Sequence, residues 1–84
     1  MLDKKPIYQF QIGDRIEITS VELRDDVIRR RLLDLGFVPG ATIEIVQKSP
    51  LGDPIAFKVF NTTIALRKEE SSFIYAKKVH KEVV

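Results

Sequence analysis

Apolar and polar positions alternate, then change period, then alternate again. Ile16 and Ile18 are separated by Arg15, Glu17 and Thr19, and Val21 and Leu23 prolong the pattern loosely. Period two is the mark of a half-buried strand. Phe10 and Ile12 share a parity just upstream, and Gly13-Asp14 interrupts them as a turn. Over residues 25–36 the period lengthens: Ile28, Leu32 and Leu35 stand at i, i+4 and i+7, the stripe of an amphipathic helix. Asp25 and Asp26 lie at its front, where a carboxylate caps free N–H groups and meets the positive end of the dipole. Gly36 is a left-handed C-terminal stop, and Pro39 prevents continuation.

Alternation then resumes. Ile43 and Ile45 form a second strand, less clean at Val46. Ser49 to Pro54 is a loop rich in breakers. Ile55, Phe57 and Val59 make a third strand. Asn61-Thr62-Thr63 is predicted as the turn into a fourth, carrying Ile64 and Leu66. Arg67 to Ser72 is one polar helical turn. Phe73-Ile74-Tyr75-Ala76 is the last strand, with Phe73 and Tyr75 on one face, and from Lys77 to Val84 a loose basic tail is expected. The fold predicted is mainly β: a small SH3-like barrel of about five strands, with an α-helix inserted between the first and second. Barrel closure would remove exposed edges. Residues 1–84 are read as one domain, with its core over about 8–79 and a basic tail over 77–84.

Composition narrows the chemistry. The chain has 84 residues, 44% of them hydrophobic, enough for one core and not for two lobes around a cleft. It holds no Cys and a single histidine, His80, so thiolate metal sites, disulfides and a His–His acid/base pair are unavailable within one chain. Ser20, Ser49, Ser71 and Ser72 sit in no nucleophile elbow, and the four glycines are scattered rather than gathered into a phosphate loop. An enzyme is not expected. Fourteen basic against twelve acidic residues give a net charge of +2, too weak to announce a nucleic-acid binder. The longest apolar run has four residues, against about 20 for a membrane span. The N-terminus lacks the apolar stretch of a secretory signal, and a cytoplasmic location is expected.

Two acidic pairs, Asp25-Asp26 and Glu69-Glu70, are the sequence's candidates for holding a hard cation. Helix capping and dipole compensation account for both, so no metal ligands are assigned. His80 with Glu82 is read as a solvated tail. The conspicuous charge run is Arg29-Arg30-Arg31. Successive helical residues point about 100° apart, so the three do not form one patch. Arg31 flanks the apolar stripe, where its stem would lie on the core and its guanidinium reach an acid. Arg29 and Arg30 point away from the stripe, with Leu33 on the flank near them. An apolar residue beside two arginines suits an interface anchor, and Arg29, Arg30 and Leu33 are the candidate partner contacts.

The segment Arg31-Leu32-Leu33-Asp34-Leu35-Gly36-Phe37-Val38-Pro39-Gly40 has a specific form: Arg-Leu, two residues, Leu-Gly-aromatic, two residues, Gly, then a strand. It resembles the FeoA family, the small cytoplasmic component of bacterial ferrous iron uptake. Gly13-Asp14-Arg15, the run Asp53 to Val59, Ile64 to Arg67 and Ser71 to Ile74 extend the likeness across about Tyr8 to Val79. In the physical reading Leu32 and Leu35 seal the barrel end, Gly36 reverses the chain, Phe37 returns to the core and Gly40 sets the turn into the next strand.

The resemblance implies an SH3-like barrel with an inserted helix. It implies a partner, the FeoB-type membrane ferrous iron transporter, met through its cytosolic GTP-binding part. Regulating transport, supporting assembly and influencing nucleotide hydrolysis are the roles it suggests, with recruitment to the inner face of the membrane. A transition metal such as Fe2+ enters by resemblance only, and no resident cofactor is expected. A similar module ends some metal-dependent repressors, which keeps two alternatives open: a nucleic-acid-binding barrel and a metal-responsive regulator. The sequence is also compatible with a homo-oligomer.

Overall fold

The computed structural model describes residues 4–79. Its six strands are β1 (Lys5–Pro6), β2 (Arg15–Val21), β3 (Thr42–Lys48), β4 (Ile55–Val59), β5 (Thr62–Leu66) and β6 (Ile74–Lys78). Helix α1 (Asp26–Asp34) lies between β2 and β3, and the short α2 (Lys68–Ser71) between β5 and β6. A 3-10 turn, Ile7–Gln9, follows β1. All pairing is antiparallel, in the order β1-β6-β2-β3-β4-β5.

The five expected strands and the inserted helix are present. The sixth, β1, is only two residues and carries no readable period; it pairs with β6 through Lys5↔Ala76 and Pro6↔Tyr75. Phe10 and Ile12 are not strand: Phe10 is buried, while Ile12 is 58% exposed in the turn before β2. Asp14 builds that turn, its Oδ2 accepting from the Gln11 N–H at 2.9 Å. The first residues of the expected loose tail are strand. Lys77 and Lys78 belong to β6, in register with Glu17 and Ile16, while residues 80–84 lie outside the described residues.

Curvature comes from two register shifts. One falls on β3 at Val46, where Ile45 faces Phe57 and Gln47 faces Ala56; the other falls on β2 at Thr19. An extra residue on one strand bends it and strengthens its twist. The uneven alternation at Val46 is thus a bulge. The ladder does not close, since β1 and β5 pair only on one side each. The 3-10 turn packs against α2 across that gap, where Lys68 Nζ lies 5.0 Å from the Tyr8 ring centre.

The β4–β5 turn is one step earlier than the sequence suggests. Its central residues are Phe60 and Asn61, at φ +52° and +76°, and Val59 pairs with Thr62. Positive φ at both positions is the signature of a type I′ hairpin, which favours Asn-Gly. A phenylalanine there hides the turn. Inside the sheet lies one core, including Ile7, Ile16, Ile18, Ile43, Phe57 and Ile74. On β6, Ile74 and Ala76 face inward and the Phe73–Tyr75 parity faces out.

Candidate functional site on the inserted helix

Helix α1 starts where the carboxylates predict. Asp25 is the N-cap, its Oδ1 accepting from the N–H groups of Val27 at 3.0 Å and Ile28 at 3.1 Å. It ends in a Schellman motif: the Phe37 N–H donates to the Leu32 carbonyl and the Gly36 N–H to the Leu33 carbonyl, both at 3.0 Å. Gly36 holds φ +110°. Leu32 and Phe37 are fully buried, and Phe37 meets the Phe57 ring edge-on at 6.1 Å. Leu35 does not seal the barrel end; it is 39% exposed. The helix stops before the stripe reaches it, and the reversal at Gly36 brings Phe37 into the core in its place. Gly40, also at positive φ, donates to the Ile18 carbonyl at 2.8 Å and ties the next turn to β2.

The three arginines diverge as helix geometry requires. Arg31 reaches an acid: its Nη2 lies 3.0 Å from Glu70 Oε2. Its side chain as a whole is 62% exposed, and it lines a groove with Leu23, Ile28 and Phe73. The other oxygen of Glu70 accepts from the Arg67 N–H at 3.1 Å, so this carboxylate ties α1 to the start of α2. Arg29 turns back along its own helix to Asp26, at 3.1 Å. Arg30 has no ion-pair partner among the described residues.

Arg29, Arg30 and Leu33 come together. With Asp26 and Asp34 they line a groove along α1, in which Leu33 is half-buried. A second, more apolar groove lies on the other flank, where Leu23, Ile28 and Phe73 meet the Arg31–Glu70 bridge. Residue-by-residue reading missed it. The available signal was four apolar residues in a row from Phe73: on a strand two of them must face outward.

Three of the four carboxylates in the two acidic pairs are engaged within the fold. Asp25 is spent on the helix cap, Asp26 on Arg29, and Glu70 on Arg31 and the Arg67 amide. Among the described residues no group of three or more His, Asp or Glu side chains converges; His80 lies outside them. The aromatic residues do not share a stacking face. Phe10 is buried, Tyr75 and Tyr8 lie beneath Lys4 and Lys68, and Phe60 stands alone, 70% exposed. Charges on the outer sheet face alternate along one row, Arg15 beside Glu44 beside Lys58. Among the described residues, no helix is long and apolar enough to cross a membrane.

Comparison with known proteins completes the picture. Residues 5–78 match the family model for the FeoA domain. The chain is 39% identical over 66 residues to an Fe(2+) transport protein A/Fe(2+) transporter FeoB fusion protein of Porphyromonas gingivalis. The match takes in 79% of this chain and 8% of that relative's length. The solution structure of FeoA from Chlorobium tepidum aligns with TM-score 0.83 and 33% identity, over 93% of this chain and 73% of that one. FeoA of Stenotrophomonas maltophilia, solved with zinc, aligns with TM-score 0.75 and 31% identity, over 84% of this chain and 87% of that one. It is described as an SH3 domain protein and a candidate activating factor for bacterial ferrous iron transport. The chain therefore belongs to the FeoA family, small SH3-like domains linked to ferrous iron transport.

Proposed function

We propose that this protein is a non-enzymatic accessory factor for ferrous iron uptake. It acts by docking on the cytosolic GTP-binding part of a FeoB-type transporter, which places it in the cytoplasm at the inner face of the membrane. Iron is the transporter's cargo in this reading and not a resident cofactor of the chain. The fused relative supports the association, because a shared polypeptide holds its two parts at high effective concentration.

The observation that carries the docking face is the α1 groove. An outward Arg30 with no ion-pair partner among the described residues sits beside half-buried Leu33, with Arg29 held in place by Asp26. An arginine able to pair with a carboxylate next to an apolar anchor is the composition of an interface centre. The alternating charge of the outer sheet face and the lysines lying over Tyr8 and Tyr75 favour a protein partner over nucleic acid.

The test is binding of the chain to the purified cytosolic part of the transporter. Arg29→Glu with Arg30→Glu should weaken binding roughly tenfold or more, with circular dichroism and melting unchanged. Leu33→Ala should weaken it without altering its salt dependence. A double reversal that docks like the wild type places the contact elsewhere.

A further inference from the structure

The two ends of the sheet are built differently. β1 is only Lys5 and Pro6. Short length, a lysine and a proline are the devices that keep an edge from pairing with another chain. β5 is five residues, Thr62 to Leu66, with no charge, no proline and an unbroken register against β4. It carries none of those devices.

Its backbone can be accounted for. A two-residue hairpin closes on a hydrogen-bonded pair, here Val59↔Thr62. Bonded and non-bonded pairs alternate along an antiparallel ladder. Phe57↔Ile64 and Ile55↔Leu66 are then bonded, while Lys58↔Thr63 and Ala56↔Ala65 are not. The N–H and C=O groups of Thr63 and Ala65 therefore point away from β4, toward the open edge. No other strand pairs there, and no loop or cap hydrogen bond among the described residues reaches them. Both side chains are exposed.

We propose that β5 pairs antiparallel with β5 of a second copy, about a two-fold axis at Ile64. That register sets Thr63 opposite Ala65 and Ala65 opposite Thr63, and all four outward groups of each copy gain partners. Ile64 meets its own counterpart in a closely spaced, non-bonded pair on the inner face. Asn61 falls opposite Arg67, so no like charges oppose each other across the strand. An uncharged edge offers a charged strand nothing to pair with, whereas it is fully compatible with itself. The contact is small beside the roughly 1,600 Å² of a standard stable interface, which makes the dimer concentration-dependent.

Sedimentation of the full chain from micromolar to millimolar concentration reads this directly. The mass should rise from 9.6 kDa toward twice that value. Thr63→Lys with Ala65→Lys sets lysine against lysine twice and should hold the chain at monomer mass. Thr63→Glu with Ala65→Glu should do the same. Mixing the two variants should restore a dimer. Both positions are exposed, so unchanged circular dichroism is the control for folding.

Ile64→Cys reads the register without added charge. Non-bonded pairs bring Cα atoms to about 4.5 Å, within disulfide range. The natural chain has no Cys, so a cross-link can form only there. It should form faster than with Thr42→Cys on the outer sheet face. A wild type that stays monomeric throughout, a mixture that fails to associate, or equal cross-linking by the two cysteine variants overturns the proposal. If the wild type is monomeric and the double-lysine variant loses binding to the transporter's cytosolic part, the edge belongs to a strand of another protein.

Discussion

Gly36 and Gly40 show how two residues of one motif do different work. Both hold positive φ, +110° and +92°, which penalises any side chain by about 1–2 kcal/mol. Only Gly36 is also crowded. A Cβ there would come 2.6 Å from Val59 Cγ1 and 2.9 Å from the Phe60 ring, whereas nothing lies within 4 Å of one at Gly40. The exposed Phe60 ring can swing aside, but Val59 is buried. Gly40→Ala should therefore cost the conformational penalty alone, and Gly36→Ala a further 1–3 kcal/mol or so for overpacking. In a domain of this size each kcal/mol lowers the melting point by about 4–8 °C, so paired thermal melts separate the two easily. Equal losses would mean that the β4–β5 hairpin yields to the added methyl. That both glycines serve turns was legible in the sequence, because turn chemistry is local. The crowding at Gly36 was not, since Val59 and Phe60 reach it only through the tertiary fold.

At the scale of elements, α1 is nine residues long, too short to be stable by itself in water. It is held by its Asp25 cap, its Schellman end, the buried Leu32 and the Arg31–Glu70 tie to α2. These contribute unequally. Leu32 is fully buried, so Leu32→Ala should cost about 2–5 kcal/mol. The Arg31 side chain is 62% exposed, so its ion pair is well screened and Arg31→Ala should cost about 0–1 kcal/mol. Urea unfolding with amide exchange on α1 checks the ranking; a larger loss from Arg31→Ala would make the ion pair the principal anchor. Elements were the most legible level of this chain. The cap, the stop and five strands follow from local pattern and turn chemistry. Leu35 was misplaced because a helical period carries no information on where the helix ends. The β4–β5 turn was misplaced because Phe60 occupies a backbone conformation its side chain disfavours. Val46 looked like a flaw in the alternation, and it is the bulge that bends β3.

For the whole molecule, the family could be read from one ten-residue motif, whereas Arg29, Arg30 and Leu33 stood out only by charge and by their place on a helix flank. The motif residues make the fold: Leu32, Gly36 and Phe37 are recognisable because the barrel end constrains them. A surface that meets another molecule is constrained by that molecule and leaves no period in this chain. The same holds for ties between distant segments, of which Asp14 is the clearest. It joins the turn before β2 to the end of β6: its Oδ2 accepts from the Gln11 amide at 2.9 Å, and its Oδ1 lies 3.3 Å from Lys78 Nζ. The Gln11 hydrogen bond first, and Lys78 after it, hold its carboxyl below the ordinary aspartate value. The folded state then binds this proton less readily than the unfolded chain. Its contribution is complete above the ordinary value, about 4, and is lost as pH falls through the lower folded value. Glu22, just past the other end of β2, is lowered in the same direction, by the Ser20 hydroxyl and then Lys4, and adds to the same acid limb. Asp14→Asn keeps an oxygen for the Gln11 amide but removes the charge. Its urea midpoint should lie below that of the wild type at neutral pH, fall less steeply on acidification, and approach the wild type once Asp14 is protonated in both states. Curves that stay parallel down to about pH 2 would show that the carboxylate is not stabilised in the folded state, and that the turn is held by its backbone alone.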